Sequence, residues 1–175
     1  MYRGVKRALD FITALLALIV LSPLLAITAL AVKLDSKGPA IFKQQRLGLH
    51  GKTFWIYKFR SMCQGAEHTG TGVYSGADDM RVTRVGKLLR ATSIDELPQL
   101  VNILKGDMSM VGPRPERQVI ADQYAEEIPE FVLRTKVKAG LTGYAQVYGK
   151  YNTTFYDKLL MDLMYISKPS ILEDL

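Results

Sequence analysis

The chain has 175 residues, 48% of them hydrophobic, and a net charge of +6. That length suits one domain, or one small domain plus an anchor, and the apolar share is ample for a core. The single cysteine, Cys63, excludes an internal disulfide and suits a reducing compartment; with only two histidines, His50 and His68, no Cys/His cluster has zinc spacing. The positive surplus suits an anionic partner: nucleic acid, a phosphorylated substrate or acidic lipid. A soluble domain with spare lysines is the plainer reading.

Residues 11–34 form one apolar run with no charge before Lys33. At about 1.5 Å per residue it is long enough to cross a hydrocarbon core of roughly 30 Å. A cleaved signal peptide would explain the basic start (Arg3, Lys6, Arg7) and Ala29-Leu30-Ala31, but the run exceeds the usual apolar core of such peptides. A straight span has basic residues at both ends, so the charge rule gives it no clear orientation. A re-entrant hairpin would use Ser22-Pro23 at mid-run, where proline lacks a donor and the serine hydroxyl can satisfy a freed carbonyl. It would return both basic flanks to one anionic surface.

Residues 41–46 and 54–59 are extended-type runs around the turn Gly48-Leu49-His50-Gly51, a β-hairpin pattern. Lys43, Arg46, Lys58 and Arg60 fall here, either as phosphate ligands or as the protective charges of an exposed strand face. Cys63 reads as a packing residue. Residues 64–79 are rich in Gly, Thr and Ser and read as a mobile loop, a candidate substrate lid. Residues 82–90 read as a helix with Arg84, Lys87 and Arg90 on one face.

The stretch Ser93-Ile94-Asp95-Glu96-Leu97-Pro98-Gln99 carries the most information. Ser93 with Glu96 matches a capping box, the structural reading, although Pro98 lets the helix begin later. Either way two adjacent carboxylates stand at a helix mouth with Arg90 just before them. Such a pair suits a nucleophile and a metal ligand. The loop Gly106 to Pro115 holds Arg114 between Pro113 and Pro115, where it loses little entropy on binding an anion. No Walker sequence and no strand-linked G-x-G-x-x-G is present. A second Gly-marked loop covers residues 137–147. Residues 155–166 then place Phe155, Leu159, Leu160, Leu163 and Met164 at helical spacing, a core-facing stripe by default and a membrane-surface face in the sharper reading.

Together these residues resemble the small monotopic phosphoglycosyl transferases, the bacterial sugar transferase family. The likeness rests on the basic start with Ser22-Pro23, on Phe42-Lys43-Gln44-Gln45-Arg46-Leu47-Gly48 and on Tyr57-Lys58-Phe59-Arg60-Ser61-Met62. It continues through Ser93 to Gln99, Leu104-Lys105-Gly106-Asp107-Met108-Ser109, Val111-Gly112-Pro113-Arg114-Pro115 and Gly140-Leu141-Thr142-Gly143. The resemblance implies an α+β, mainly helical fold: a re-entrant membrane helix-break-helix over residues 1–36, then a small cytoplasmic catalytic domain over residues 37–175 with a β-hairpin and amphipathic surface helices. It implies that Asp95 attacks the β-phosphate of a UDP-sugar, releases UMP and holds the sugar phosphate covalently, and that polyprenyl (undecaprenyl) phosphate then takes it. It implies Mg²⁺ at Asp95 and Glu96, phosphate contacts from Arg90 and Arg114, and a location at the cytoplasmic face of the bacterial inner membrane. Related chains usually run on past the equivalent of Leu175, and a further short C-terminal tail is left open. The partners implied are a UDP-sugar, polyprenyl phosphate and membrane lipid, with no nucleic acid and with a homo-oligomer left open. A non-catalytic membrane-attached scaffold of a polysaccharide assembly complex is the other class, against which the intact Asp95, Glu96 and Arg114 stand. A nucleic-acid-binding domain gives no reason for the apolar segment.

Overall fold

The structure is a computed structural model and describes residues 2–66, 79–149 and 153–174. His68 and most of the candidate lid lie outside the described residues. The apolar run is one helix, α1 (Tyr2–Asp35), which passes through Pro23. The expected break into two helices at Ser22-Pro23 is therefore not found. Pro23 has no N–H for the carbonyl of Ile19 four residues back, and the Ser22 hydroxyl donates to that carbonyl instead at 2.8 Å. The serine thus does what the sequence suggested, but inside a continuous helix.

One stripe of α1 faces protein along nearly its whole length. Asp10, Ala14, Thr28 and Val32 are buried, and Ala17, Leu18, Leu25 and Ala29 pack on the core beside them. The spacing of three to four residues is what puts them on one helix face. Ile12, Leu16, Ile19, Val20, Ile27, Leu30 and Leu34 are exposed. They form an apolar face with no protein partner among the described residues.

The hairpin is as the sequence predicts: β1 (Ile41–Leu47) pairs antiparallel with β2 (Thr53–Phe59), joined through Leu49–Gly51, where His50 takes a left-handed conformation. Next come α2 (Arg84–Ala91), a 3-10 turn at Ile94–Glu96, and α3 (Gln99–Lys105). Thr83 caps α2 by accepting from the Gly86 amide at 3.0 Å. Beyond α3 lie β3 (Met108–Val111), α4 (Gln118–Glu127), a 3-10 segment (Pro129–Lys136), β4 (Ala139–Thr142), α5 (Tyr144–Val147), α6 (Phe155–Ser167) and α7 (Ile171–Asp174).

The two glycine-marked loops of the sequence are in fact a parallel pair, β3 with β4. Glycine is required there by close backbone approach. A Cβ at Gly140 would stand 2.2 Å from the Gly112 nitrogen, and one at Gly143 would stand 2.2 Å from the Gly112 oxygen. This contact fixes the segment that carries Arg114.

Two apolar clusters join α1 to the rest: Ala14 with Ile56, Leu100, Ile103 and Met108, and Val32 with Phe59 and Leu89. A third lies under α6, where Leu159 meets Ala121 and Phe131. The α6 stripe divides. Leu159 is buried and Leu163 packs beside it, whereas Tyr156, Leu160 and Met164 face outward.

Both ends of α1 are tied to the same body. At its start Lys6 pairs with Asp174 at 2.9 Å, Arg7 donates to the Ile103 and Leu104 carbonyls at 2.5 and 2.7 Å, and the Met110 amide donates to Asp10 at 3.0 Å. At its end the Val85 amide donates to Asp35 at 3.0 Å, and Arg60 donates to the Val32 and Ser36 carbonyls at 3.2 and 2.6 Å. Arg60, one of the candidate phosphate ligands, thus serves the last carbonyls of α1, where a cation is favoured.

Candidate active site

An open groove of about 1250 Å³ runs along β1, the end of β2, the Ile94–Glu96 turn and the loop after β3. Lys58, Arg90, Asp95, Glu96, Arg114 and Arg117 line it. Its polar centre is built where α2 reverses into α3. Ser93 makes that reversal in the left-handed region, φ 56° and ψ 15°, which for a non-glycine residue costs of order 1 kcal/mol. The capping box expected there is not formed: the Ser93 side chain makes no cap, and α3 begins only after Pro98. Glu96 has stronger partners than an amide to turn to.

Those partners are two cations. Lys58 Nζ donates to Glu96 Oε1 at 2.8 Å, and Arg114 grips the carboxylate with both fork nitrogens, Nη2 to Oε1 at 2.5 Å and Nη1 to Oε2 at 3.2 Å. Burial acts to raise the Glu96 carboxyl, but the hydrogen bonds and charges of Arg114 and Lys58 outweigh it and hold the group at about 2. Asp95 goes the other way. Burial pushes its carboxyl up and the Glu96 charge adds to this, while Lys58 and Arg90 pull back only in part. Two adjacent carboxyls are thus driven apart, one a fixed anion and the other a more basic group. That is the pattern of paired groups with different tasks.

The Arg114 segment is held by its backbone. Gly140 donates to the Pro113 carbonyl at 2.9 Å, Arg46 to the Pro115 carbonyl at 3.3 Å and Arg134 to the Arg114 carbonyl at 3.1 Å. Arg134 is itself fixed by Asp162 at 2.7 Å. Pro113 and Pro115 are buried, so only the arginine side chain projects into the groove. Arg90 lines the same groove, and its Nε donates to the Ser61 hydroxyl at 2.8 Å.

All four charged residues singled out in the sequence, Arg90, Asp95, Glu96 and Arg114, therefore converge. Of the other candidate cations, Arg46 braces the Pro115 segment and Lys43 stands 5.5 Å over the Tyr57 ring. Cys63 is exposed on the groove wall instead of packed. In the sequence Lys58 is one of several basic residues of the hairpin. The signal was there: the alternation of β2 puts Lys58 on the face of buried Ile56, and a lysine on that face needs a buried anion. Asn102, wholly buried, carried no such signal. It accepts from the Tyr57 amide at 3.1 Å and donates to the Trp55 carbonyl at 2.7 Å, which holds β2, and with it Lys58, against α3.

Fold and site together define a domain whose carboxylate pair sits in a cation-lined groove and whose long N-terminal helix carries an apolar face with no protein partner among the described residues. The chain belongs to the bacterial sugar transferase family, which it matches over residues 1–175. It is 46% identical over 173 residues to a UDP-N-acetylgalactosamine-undecaprenyl-phosphate N-acetylgalactosaminephosphotransferase of Aeromonas hydrophila, covering 97% of this chain and 41% of that protein. It is 46% identical over 175 residues to a UDP-glucose:undecaprenyl-phosphate glucose-1-phosphate transferase of Caulobacter vibrioides, covering 97% of this chain and 65% of the relative. An exopolysaccharide production protein of Rhizobium leguminosarum is 40% identical over 178 residues, 97% of this chain and 89% of its own length. The chain thus spans less than two thirds of the first two relatives.

Proposed function

We propose that this chain transfers a sugar 1-phosphate from a UDP-sugar to undecaprenyl phosphate, releasing UMP, as a membrane step of surface glycoconjugate assembly. The observation that carries this is the convergence of Asp95 and Glu96 with Lys58, Arg90 and Arg114 in one groove. A diphosphate donor needs such cations, and the relatives' names supply the donor and acceptor classes. An Asp95 oxygen attacks the β-phosphorus, the bond from that phosphorus to the bridging oxygen breaks, and UMP leaves with that oxygen. An oxygen of the prenyl phosphate then attacks the same phosphorus and displaces Asp95, leaving a prenyl diphosphate sugar. Asp95 and Glu96 are the residues that would hold Mg²⁺: one or two carboxylates completed by substrate phosphates is how this ion is usually taken, and no cluster of three acidic or thiol/imidazole ligands exists among the described residues. Bound there, the ion supplies charge neutralisation on the diphosphate. Purified protein given undecaprenyl phosphate, Mg²⁺ and a panel of UDP-glucose, UDP-galactose and their N-acetylated forms should release UMP with at least one donor and form a lipid-linked product with it. Release with none would overturn the assignment.

The same reading makes the protein monotopic, at the cytoplasmic face of the bacterial inner membrane. The outward face of α1 suits lipid, and the ties of Arg7, Asp10, Asp35 and Val32 to one body keep both helix ends on that body's side. Cysteines placed near residues 4 and 37, in a background lacking Cys63, should both resist an impermeant reagent in intact cells and both react after lysis. Labelling of only one in intact cells would mean a full span.

A further inference from the structure

We propose that Arg114 changes partner during the reaction cycle, and that in the empty protein it withholds Glu96 from divalent cations, so that metal and nucleotide donor bind only together. The inference rests on the donor class proposed above and concerns the order in which its parts assemble.

Both Glu96 oxygens are already taken, Oε1 by Lys58 and Arg114 and Oε2 by Arg114. A cation arriving alone must break the bidentate pair and face the charges of Lys58 and Arg114 at close range. A diphosphate arriving alone must draw Arg114 from a carboxylate that matches its fork equally well. Arriving together, they exchange ion pair for ion pair: the arginine goes to phosphate oxygens and the freed Glu96 oxygen goes to the metal. Neither charge is left stranded at any point.

The geometry also says which cation leaves. Side-chain exposure is 43% for Arg114 against 18% for Lys58 and 15% for Glu96. Lys58 is fixed on β2 and stays with the carboxylate. The Arg114 backbone is clamped through the Pro113, Arg114 and Pro115 carbonyls, so the exchange needs only side-chain rotation toward the open groove. Lys58 then keeps Glu96 oriented in both states.

The test uses the full chain in detergent, with Mn²⁺ as probe and free Mn²⁺ read by electron paramagnetic resonance. Without nucleotide, Arg114→Ala should bind Mn²⁺ about tenfold more tightly than wild type, the scale of one lost charge-assisted pair. Adding Glu96→Gln to that variant should abolish the gain, which separates release of Glu96 from a general loss of positive charge. UDP should tighten Mn²⁺ binding by wild type beyond what the Mn²⁺–UDP complex itself explains, and should do so less in Arg114→Ala. Circular dichroism and thermal melting establish that the variants are folded. A folded Arg114→Ala that binds Mn²⁺ no more tightly than wild type overturns the exchange, as does a gain that survives Glu96→Gln. UMP release by wild type, measured on the same preparation, keeps this failure distinct: its persistence would leave the transfer reaction standing.

Discussion

Asp95→Asn should lose at least about 10³-fold in UMP release, because an amide is a poor nucleophile and Glu96, the other carboxylate of the groove among the described residues, is held by Lys58 and Arg114. The wild type, given UDP-sugar and Mg²⁺ without lipid, should release about one UMP per active site in a burst, since a covalent step precedes the acceptor. The protein should then be heavier by one sugar phosphate. The adduct is an acyl phosphate, so hydroxylamine should remove it and peptide mapping should find it on Asp95. The opposed states of the two carboxyls favour Asp95 over its neighbour: Glu96 is held at about 2 by two cations in direct contact, while Asp95 is raised by burial and carries no such clamp. Ternary-complex kinetics, with no burst and no trapped adduct, would defeat the covalent route.

The second large effect is on stability and lies away from the groove. Asp162→Ala should destabilise the protein by about 3–5 kcal/mol, the usual cost of removing one partner from a buried ion pair. Asp162 and Arg134 have side-chain exposures of 2% and 10% and meet at 2.7 Å. Burial raises the Asp162 carboxyl and Arg134 only partly offsets this, so the intact pair adds little net stability. Truncation is costly because it leaves the Arg134 guanidinium beside Phe131 with the neutral Arg114 carbonyl at 3.1 Å and, among the described residues, Glu116 at 3.9 Å as its remaining carboxylate. The double change Asp162→Leu with Arg134→Met should recover most of the loss in a denaturant titration. Its UMP release should stay depressed, since the Arg114 carbonyl loses its donor. A single-mutant cost below about 1 kcal/mol would show the pair to be peripheral.

Local signals carried much of the fold. The extended-type runs at residues 41–46 and 54–59 with the turn Gly48-Leu49-His50-Gly51 between them gave the hairpin, and the spacing of Arg84, Lys87 and Arg90 gave α2. They failed where two segments meet. The glycine-marked stretches read as loops because each is too short for a periodic pattern, and only their mutual approach at Gly112 and Gly140 makes them strands. The Ser93 capping box failed for a related reason: Lys58, far off in sequence, outcompetes a local amide for Glu96.

By itself the sequence determined that an apolar helix precedes a basic domain, that Asp95 and Glu96 stand at a helix mouth and that Arg114 is set between prolines. Each is a matter of residue type and near neighbours, and each survives in the structure. Tertiary structure alone decided that Lys58 joins Arg114 on Glu96, and that Arg60, on the groove wall, donates to the last carbonyls of α1. These outcomes depend on competition among charges and carbonyls brought together from distant parts of the chain. A carboxylate takes the cations that burial places beside it, and an arginine takes the nearest unpaired carbonyls; spacing along the chain determines neither.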